Sequence, residues 1–150
     1  MKKNIFLLLV ICFFIASCKQ NKIIKTHGIA YLDQREKLII VNKFNKNDTV
    51  KILGQPSTRG MDDNNLWIYI ERTNVKGNIF KLGKVHLLKN NVLVLEFDKY
   101  GIVIRKEFYD KKKMNNLIFA KNETDNEIKK ENFIYSFLSS VRQKMINKRQ

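Results

Sequence analysis

A five-residue stretch near the middle of the chain, Leu66-Trp67-Ile68-Tyr69-Ile70, is apolar at every position. Its aromatic and β-branched residues favour a strand, and side chains alternate between the two faces of a strand, so both faces are apolar. A sheet with one solvated face would alternate apolar with polar residues instead. The pattern therefore requires a cover on each face of the sheet, supplied either by the same chain or by a protein partner.

The same strand pattern occurs twice more along the chain, which predicts three antiparallel strands. They cover residues 66–71, 92–97 and 102–108. Residues 98–101 join the last two as a hairpin turn, in which Gly101 can supply positive φ. The connection of residues 72–91 is long for a hairpin. Four of its apolar residues are able to extend the second strand: Ile79, Phe80, Val85 and Leu87.

Amphipathic patterns predict a helix before the strands and another after them. Residues 33–44 form the first, with Asp33 as a cap and apolar residues at helical spacing. The last, within residues 126–147, has an apolar stripe at helical spacing: Phe133, Ile134, Phe137, Leu138, Val141 and Met145. This stripe also needs burial. We therefore expect the C-terminal helix, in preference to a partner, to cover the second face of the sheet.

A short helix after residue 44 has clearer boundaries. Asn45 can cap its start, and Asp48 is at the third helical position, as in a capping box. Gly54 is a typical terminator, and Pro56 prevents the helix from continuing. Together these elements predict an α+β fold: two N-terminal helices packed on a three-stranded antiparallel sheet (ααβββ), with an additional C-terminal amphipathic helix.

The first eighteen residues have the features of an export signal. A positive start precedes an unbroken apolar run, residues 5–15. As a helix this run is about 16 Å long, roughly half of a hydrocarbon core. Residues 15–18, Ile-Ala-Ser-Cys, resemble the bacterial lipobox, in which cleavage precedes the cysteine and its sulfur receives a diacylglyceryl group. The pattern predicts lipid attachment at Cys18; the alternative is an ordinary soluble export signal with an incidental cysteine.

These signals divide the chain into four parts. They are a lipoprotein signal peptide (residues 1–17), a lipidated tether (residues 18–30), a folded domain (residues 31–110), and a basic linker with the C-terminal helix (residues 111–150). Acyl chains on Cys18 would hold the mature protein on a membrane without spanning it.

The chain is strongly basic, with 29 Lys+Arg, 14 Asp+Glu and a formal charge of +15. Removal of the signal peptide takes away Lys2 and Lys3 and leaves a charge of +13. Export argues against nucleic acid as the partner, and no nucleic-acid-binding motif is present. Anionic lipid headgroups are the expected counter-charge, with the run Lys111, Lys112 and Lys113 as a candidate contact.

No residue pattern indicates an enzyme or a cofactor. The only two cysteines are Cys12 and Cys18, so the domain has no cysteine nucleophile or thiolate metal site. His27 and His86 are far apart in sequence and have no nearby acid at metal-ligand spacing. Asp62-Asp63 is interpreted as a solvated turn, and no Gly-x-Ser-x-Gly motif occurs.

Four ordered landmarks resemble the BamE/SmpA/OmlA family of lipoproteins over roughly residues 27–109. They are His27-Gly28, Ile52-Leu53-Gly54-Gln55-Pro56-Ser57, Leu66-Trp67-Ile68-Tyr69-Ile70, and Leu95-Glu96-Phe97-Asp98 through Gly101. The combination of Leu-Gly-x-Pro, a Trp-x-Tyr strand, a Phe-Asp-x-x-Gly turn and a lipobox is more specific than any one of them.

The resemblance implies an ααβββ domain and a non-enzymatic accessory role in the machinery that assembles β-barrel proteins in the outer membrane (BAM). It also implies a position on the periplasmic leaflet of the outer membrane, where the protein stabilises the contact between the barrel-inserting subunit and its partner lipoprotein. Anionic phospholipid is a further contact of some members. Lys19, which follows the lipidated cysteine, is not the Asp that retains many lipoproteins at the inner membrane, so the outer membrane is favoured.

Two other functions stay open from the sequence. One is a free-standing periplasmic lipoprotein that acts as an inhibitor or ligand-binding module, because a small α+β fold does not by itself assign a function. The other is a hydrolase acting on envelope polymers. It would require titratable residues that converge in a cleft, and two histidines with dispersed acids do not supply them.

Overall fold

The computed structural model describes residues 23–60, 64–76, 85–116 and 126–146. Cys18, the pair Asp62-Asp63 and the predicted strand extension at Ile79 and Phe80 lie outside the described residues. In chain order the described elements are β1 (Ile23–Gly28), α1 (Leu32–Arg35), a 3-10 turn (Glu36–Leu38), α2 (Lys46–Leu53), β2 (Thr58–Arg59), β3 (Leu66–Lys76), β4 (Val85–Phe97), β5 (Val103–Tyr109), α3 (Lys111–Asn115) and α4 (Asn126–Ile146).

The described strands form one antiparallel sheet, so the fold class is α+β. The strand order is β1-β3-β4-β5, and the short β2 pairs with β3 beyond the end of β1. The sheet thus has five strands where the sequence predicted three. Part of the segment interpreted as a tether, residues 23–28, is the edge strand β1.

The extra strands follow from the length of the central hairpin. Residues 72–76 and 85–91, interpreted as a connection, continue β3 and β4 past the apolar stretch, and Val85 and Leu87 do extend the second strand. The continued β3 offers a second edge, along which β1 pairs from Ile23 with Lys76 to Gly28 with Glu71. Pairing satisfies the backbone groups there, so the strands can continue through polar residues.

Helix α2 has the predicted boundaries. The Asn45 side chain accepts from the Asp48 amide at 2.9 Å, and the Asp48 carboxylate accepts in return from the Asn45 amide at 3.4 Å, which completes the capping box. The Gly54 amide makes the last helical bond, to the carbonyl of Val50. Gly54 has φ +79°, a conformation that favours glycine.

The predicted helix over residues 33–44 is much shorter in the structure. It begins after Tyr31, not at Asp33, and is extended again by Ile39, whose ψ is 117°. Residues 39–41 are all β-branched, which disfavours a helix. In addition, the Asn42 amide and the Phe44 carbonyl form hydrogen bonds with Val103 at the start of β5. A continuous helix would use these backbone groups for its own hydrogen bonds.

The sheet is covered on both faces by the same chain. On one face, Trp67, Tyr69, Leu93 and Leu95 form a core with residues of the N-terminal helices, including Leu32 and Leu53. On the other, the apolar stripe of α4 packs on the opposite side of β3 and β4. That second core contains Leu66, Ile68, Val92, Val94, Met114, Ile134, Leu138, Val141 and Met145. The prediction that the C-terminal helix covers the second face is confirmed.

Gly28, the last residue of β1, lies against β3 with no room for a side chain. Its φ is +79°, and a Cβ at this position would overlap the carbonyl oxygen of Ile70. The next amide, that of Ile29, donates to the same carbonyl at 2.8 Å. A side chain at position 28 therefore conflicts both with the backbone conformation and with the pairing of β1.

We predict that Gly28→Ala separates β1 from the sheet and destabilises the fold more than Gly54→Ala does. Gly54 shares the φ of +79° but has no atom within 4 Å of a Cβ, so its variant isolates the conformational penalty, about 1–3 kcal/mol. Denaturant unfolding and hydrogen exchange at the Ile29 amide measure the two effects. Equal losses of stability, with Ile29 still protected, would contradict the steric conflict.

Candidate functional site

The landmark residues that carry the family resemblance contact one another in the structure. The Tyr69 hydroxyl donates to the carbonyl of Gly54 at 3.1 Å, and the Ile70 amide donates to the Ser57 hydroxyl at 3.1 Å. The Leu-Gly-x-Pro segment is thus fixed on the Trp-x-Tyr strand. Burial raises the pKa of Tyr69, partly opposed by the charge of Arg59, so the phenol remains a donor at neutral pH.

Trp67 connects this contact to the hairpin turn. Its ring meets that of Phe97 edge-on, with centroids 4.8 Å apart, and its indole N–H donates to the carbonyl of Asn64 at 2.9 Å. Lys46 Nζ lies 5.9 Å from the Trp67 ring and the Arg59 guanidinium 5.2 Å from it. Trp67 is only 5 % exposed, so it is a core residue with a cationic rim, as the sequence predicted for a covered sheet face.

The hairpin turn belongs to the same cluster of landmarks. Asp98 accepts from the amides of Tyr100 and Ile102 at 2.9 and 2.8 Å, and Gly101 has φ +81°. The Lys46 amide, at the start of α2, donates to the Gly101 carbonyl at 2.9 Å. The turn therefore has the glycine with positive φ that the sequence predicted, and its carbonyl also holds the start of α2.

Glu71 is a buried carboxylate, 2 % exposed, at the point where the apolar part of β3 ends. It accepts from the amides of Tyr31 and Leu32 at 3.1 and 3.2 Å and from the Asn91 side chain at 2.9 Å. Lys89 lies 3.9 Å away and bonds mainly to Asp33 at 3.0 Å. These donors hold the start of α1 on the sheet, so the carboxylate is engaged in the structure of the fold.

A second polar cluster lies on the opposite face, beneath α4. Arg72 donates to the Asn90 side chain at 3.0 Å and to the carbonyl of Val141 at 3.5 Å, and burial lowers the pKa of Arg72. Asn74 and Asn90 are also buried. Among the described residues, Asn74 Oδ1 and Asn90 Nδ2 have no hydrogen-bond partner. This cluster ties the C-terminal half of α4 to β3.

Glu107 on β5 forms a third polar group. Burial by itself would raise the pKa of Glu107, but hydrogen bonds from Tyr109 and Arg105, with the charges of Arg105 and Lys113, lower it overall. Arg105 also reaches Glu131 of α4 at 3.5 Å. The carboxylate is therefore a charged acceptor at neutral pH that helps to join α4 to the edge strand.

The other sequence candidates are dispersed in the structure. His27 pairs in register with Arg72, and His86 with Val75, so the two histidines point to opposite faces of the sheet. No group of three or more His, Cys, Asp or Glu in the described part of the chain is placed to hold a metal. The run of residues 111–113 starts the short helix α3, where Lys111 donates to the carbonyl of Leu87 at 2.9 Å.

The burial of Glu71 and of the asparagines was not predicted from the sequence. Glu71, Asn90 and Asn91 adjoin apolar strand residues directly, so that both strands change from apolar to polar at paired positions, Glu71 with Asn91. Polar residues that follow the apolar stretch in each of two neighbouring strands were the signal for this buried cluster, because buried polar groups need hydrogen-bond partners.

Comparisons with known proteins add no relative to this picture. No protein-family model, curated protein or solved structure matches the chain. In the described ranges, no helix combines the length and apolarity needed to cross a bilayer.

We predict that Glu71→Gln destabilises the fold by about 1–3 kcal/mol, because the amide offers one acceptor where the carboxylate offers two to inward-facing N–H donors. The matched control is Asp33→Asn, which neutralises the half-exposed partner of Lys89 and should lose less than about 1 kcal/mol. Chemical denaturation at pH 7 measures both. A larger loss for the Asp33 variant would show that the ion pair, not the buried cap, holds α1.

Proposed function

We propose that this chain is a lipid-anchored, non-enzymatic scaffold of the β-barrel assembly machinery, on the periplasmic face of the outer membrane. The observation that carries the proposal is the contact between landmarks distant in sequence: Gly54 and Ser57 bond to the strand of Tyr69, and Trp67 packs on Phe97 before the turn. Residues that resemble the family in order along the chain also form one connected cluster, which supports a shared fold core.

The interior chemistry agrees with a scaffold. The buried carboxylate of Glu71 is occupied by backbone amides and an asparagine, and Tyr69 donates to a backbone carbonyl. Each of these groups joins a helix or loop to the sheet. The function of such a molecule depends on its surface and on where it is held, which makes the lipid on Cys18 the main determinant of its location.

Within this proposal, the barrel-inserting subunit and its partner lipoprotein are the expected protein contacts, and no cofactor is involved. The residue after Cys18 is Lys19, which favours sorting to the outer membrane. Anionic phospholipid is an additional expected contact, since the basic excess needs a counter-charge.

A second function is favoured by one specific observation. The five-stranded sheet, with β1 added at one edge and α4 over the second face, departs from the ααβββ plan of the family. This difference supports a free-standing periplasmic lipoprotein that acts as an inhibitor or ligand-binding module. Such a protein would bind a soluble target and would ignore the assembly subunits.

We predict that crosslinking in intact envelopes, followed by identification of the partners, recovers the barrel-inserting subunit or its partner lipoprotein. The comparison sample is the same chain after detergent disruption, which separates stable partners from neighbours. Recovery of a soluble periplasmic protein, with no assembly subunit, would transfer support to the inhibitor or ligand-binding function.

We predict that Cys18→Ser releases the protein from the membrane fraction, whereas Cys12→Ser does not. Cys12 is the other cysteine of the chain and lies within the apolar run, so its variant tests whether loss of any thiol has the same effect. Mass spectrometry of the mature N-terminus should show acylated Cys18. A freely soluble native protein with an unmodified Cys18 would contradict the anchor.

A further inference from the structure

We infer that the end of the sheet where β1 begins is a docking surface for an anionic bilayer. This end, called the strand tip, consists of Ile23, Ile24 and Lys25 of β1, Lys76 of β3 and Val85 of β4. Ile23 pairs with Lys76, and Lys76 pairs with Val85, so the described parts of the three strands reach this end side by side. The inference rests on the lipid anchor of the proposed function and adds an orientation to it.

The strand tip exposes large apolar side chains that the two cores do not use. The exposed fractions are 53 % for Ile23, 60 % for Ile24 and 45 % for Val85. Leu88, nearby on β4, is 56 % exposed. Single exposed apolar residues are ordinary, but these lie together at one end of the sheet, with Ile23 and Val85 on one face and Ile24 on the other. An end of a sheet that is apolar on both faces is suited to entering the boundary between headgroups and acyl chains.

The last turn of α4 approaches the same end. The helix bonds to Glu96 through Lys130 near its start and reaches Arg72 through Val141 further on, so it runs toward the strand tip. Its final described residue, Ile146, is 51 % exposed. The helix therefore adds another apolar side chain to this end.

The charge around the strand tip is positive. Lys25 and Lys76 are exposed, and Lys111, whose ammonium bonds to the Leu87 carbonyl, brings the start of α3 with its exposed Lys112 toward this end. Carboxylates close by have other partners. Asp33 pairs with Lys89, and Asp110 accepts from the Lys113 amide at 2.6 Å. Apolar side chains ringed by lysines are complementary to an anionic lipid surface.

The position of the anchor selects the bilayer as the occupant. Ile23 is five residues along the chain from Cys18, with four residues between them, which limits their separation to about 18 Å even in a fully extended chain. The hairpin turn at Tyr100 is at the other end of β4, about 40 Å away along a strand of this length. An acylated Cys18 therefore keeps the strand tip close to the membrane and leaves the landmark cluster further from it.

Fluorescent labels on the lipidated mature protein test this orientation. Because the chain has no cysteine after Cys18, Ile24→Cys and Tyr100→Cys each give a single labelling site. Tyr100 is 77 % exposed at the hairpin turn and serves as the matched control. In vesicles of phosphatidylcholine with phosphatidylglycerol, lipids bearing a nitroxide near the headgroup should quench the label at position 24 several-fold more than the label at position 100.

Charge variants test the lipid class. Lys76→Glu combined with Lys112→Glu should reduce quenching at position 24 severalfold in vesicles with phosphatidylglycerol and leave it unchanged in phosphatidylcholine alone. Lys37→Glu combined with Lys43→Glu, at exposed positions before α2, changes the net charge by the same amount and is the matched control, which should have a smaller effect. Identical quenching in the two kinds of vesicle would overturn the anionic specificity.

The outcomes separate this inference from the proposed function. Stronger quenching at position 100, or equal quenching at both positions, on protein whose Cys18 is acylated would overturn the orientation alone. Self-quenching that rises with protein density, without quenching by the nitroxide lipid, would assign the strand tip to a second copy of the chain and also overturn it. Absence of acyl chains on Cys18, or of assembly subunits among crosslinked partners, would count against the proposed function instead.

Discussion

The fold depends on the two-faced burial of the central hairpin. Ile68 and Val94 face one core, and Tyr69 and Leu93 face the other, and each of these residues is at most 1 % exposed. Because apolar area removed from water is the main favourable term in folding, a sheet of this kind is stable only with a layer on each side. The N-terminal helices supply one layer and α4 the other, so α4 is an integral part of the domain.

The polar ends of β3 and β4 divide the sheet into two zones. From Leu66 to Ile70 the strand is sandwiched between helices, whereas beyond Glu71 it is held by buried polar groups and by β1. Glu71 and Arg72 mark the boundary on the two faces, and each bonds to a helix or to the chain just before one. Along β3 and β4, apolar packing therefore holds the first zone, and hydrogen bonds hold the second.

The sequence predicted those elements whose signals are local. The capping box at Asn45, the turn at Gly101 and the stripe of α4 each rely on residues a few positions apart, and each is present. The edge strand β1 was not predictable in this way, since its formation depends on an extension of β3 some fifty residues later. The predicted length of the first helix was wrong for the same reason, because Asn42 and Phe44 bond to Val103, a tertiary contact that overrides local helix propensity. For the candidate site, the sequence located the landmarks but not the contacts between them.

The pairing of β1 also determines how the domain would bear mechanical load. A pull on the chain before β1 would act at Ile23, along the axis of a strand whose six residues all pair with β3. In this shear geometry the inter-strand hydrogen bonds share the force instead of opening one after another. The contact of Gly28 with Ile70 lies at the far end of this strand, so it helps to hold the strand in place behind the other paired residues. Under the proposed lipid anchor, the domain would therefore resist unfolding from its tethered end without any additional crosslink.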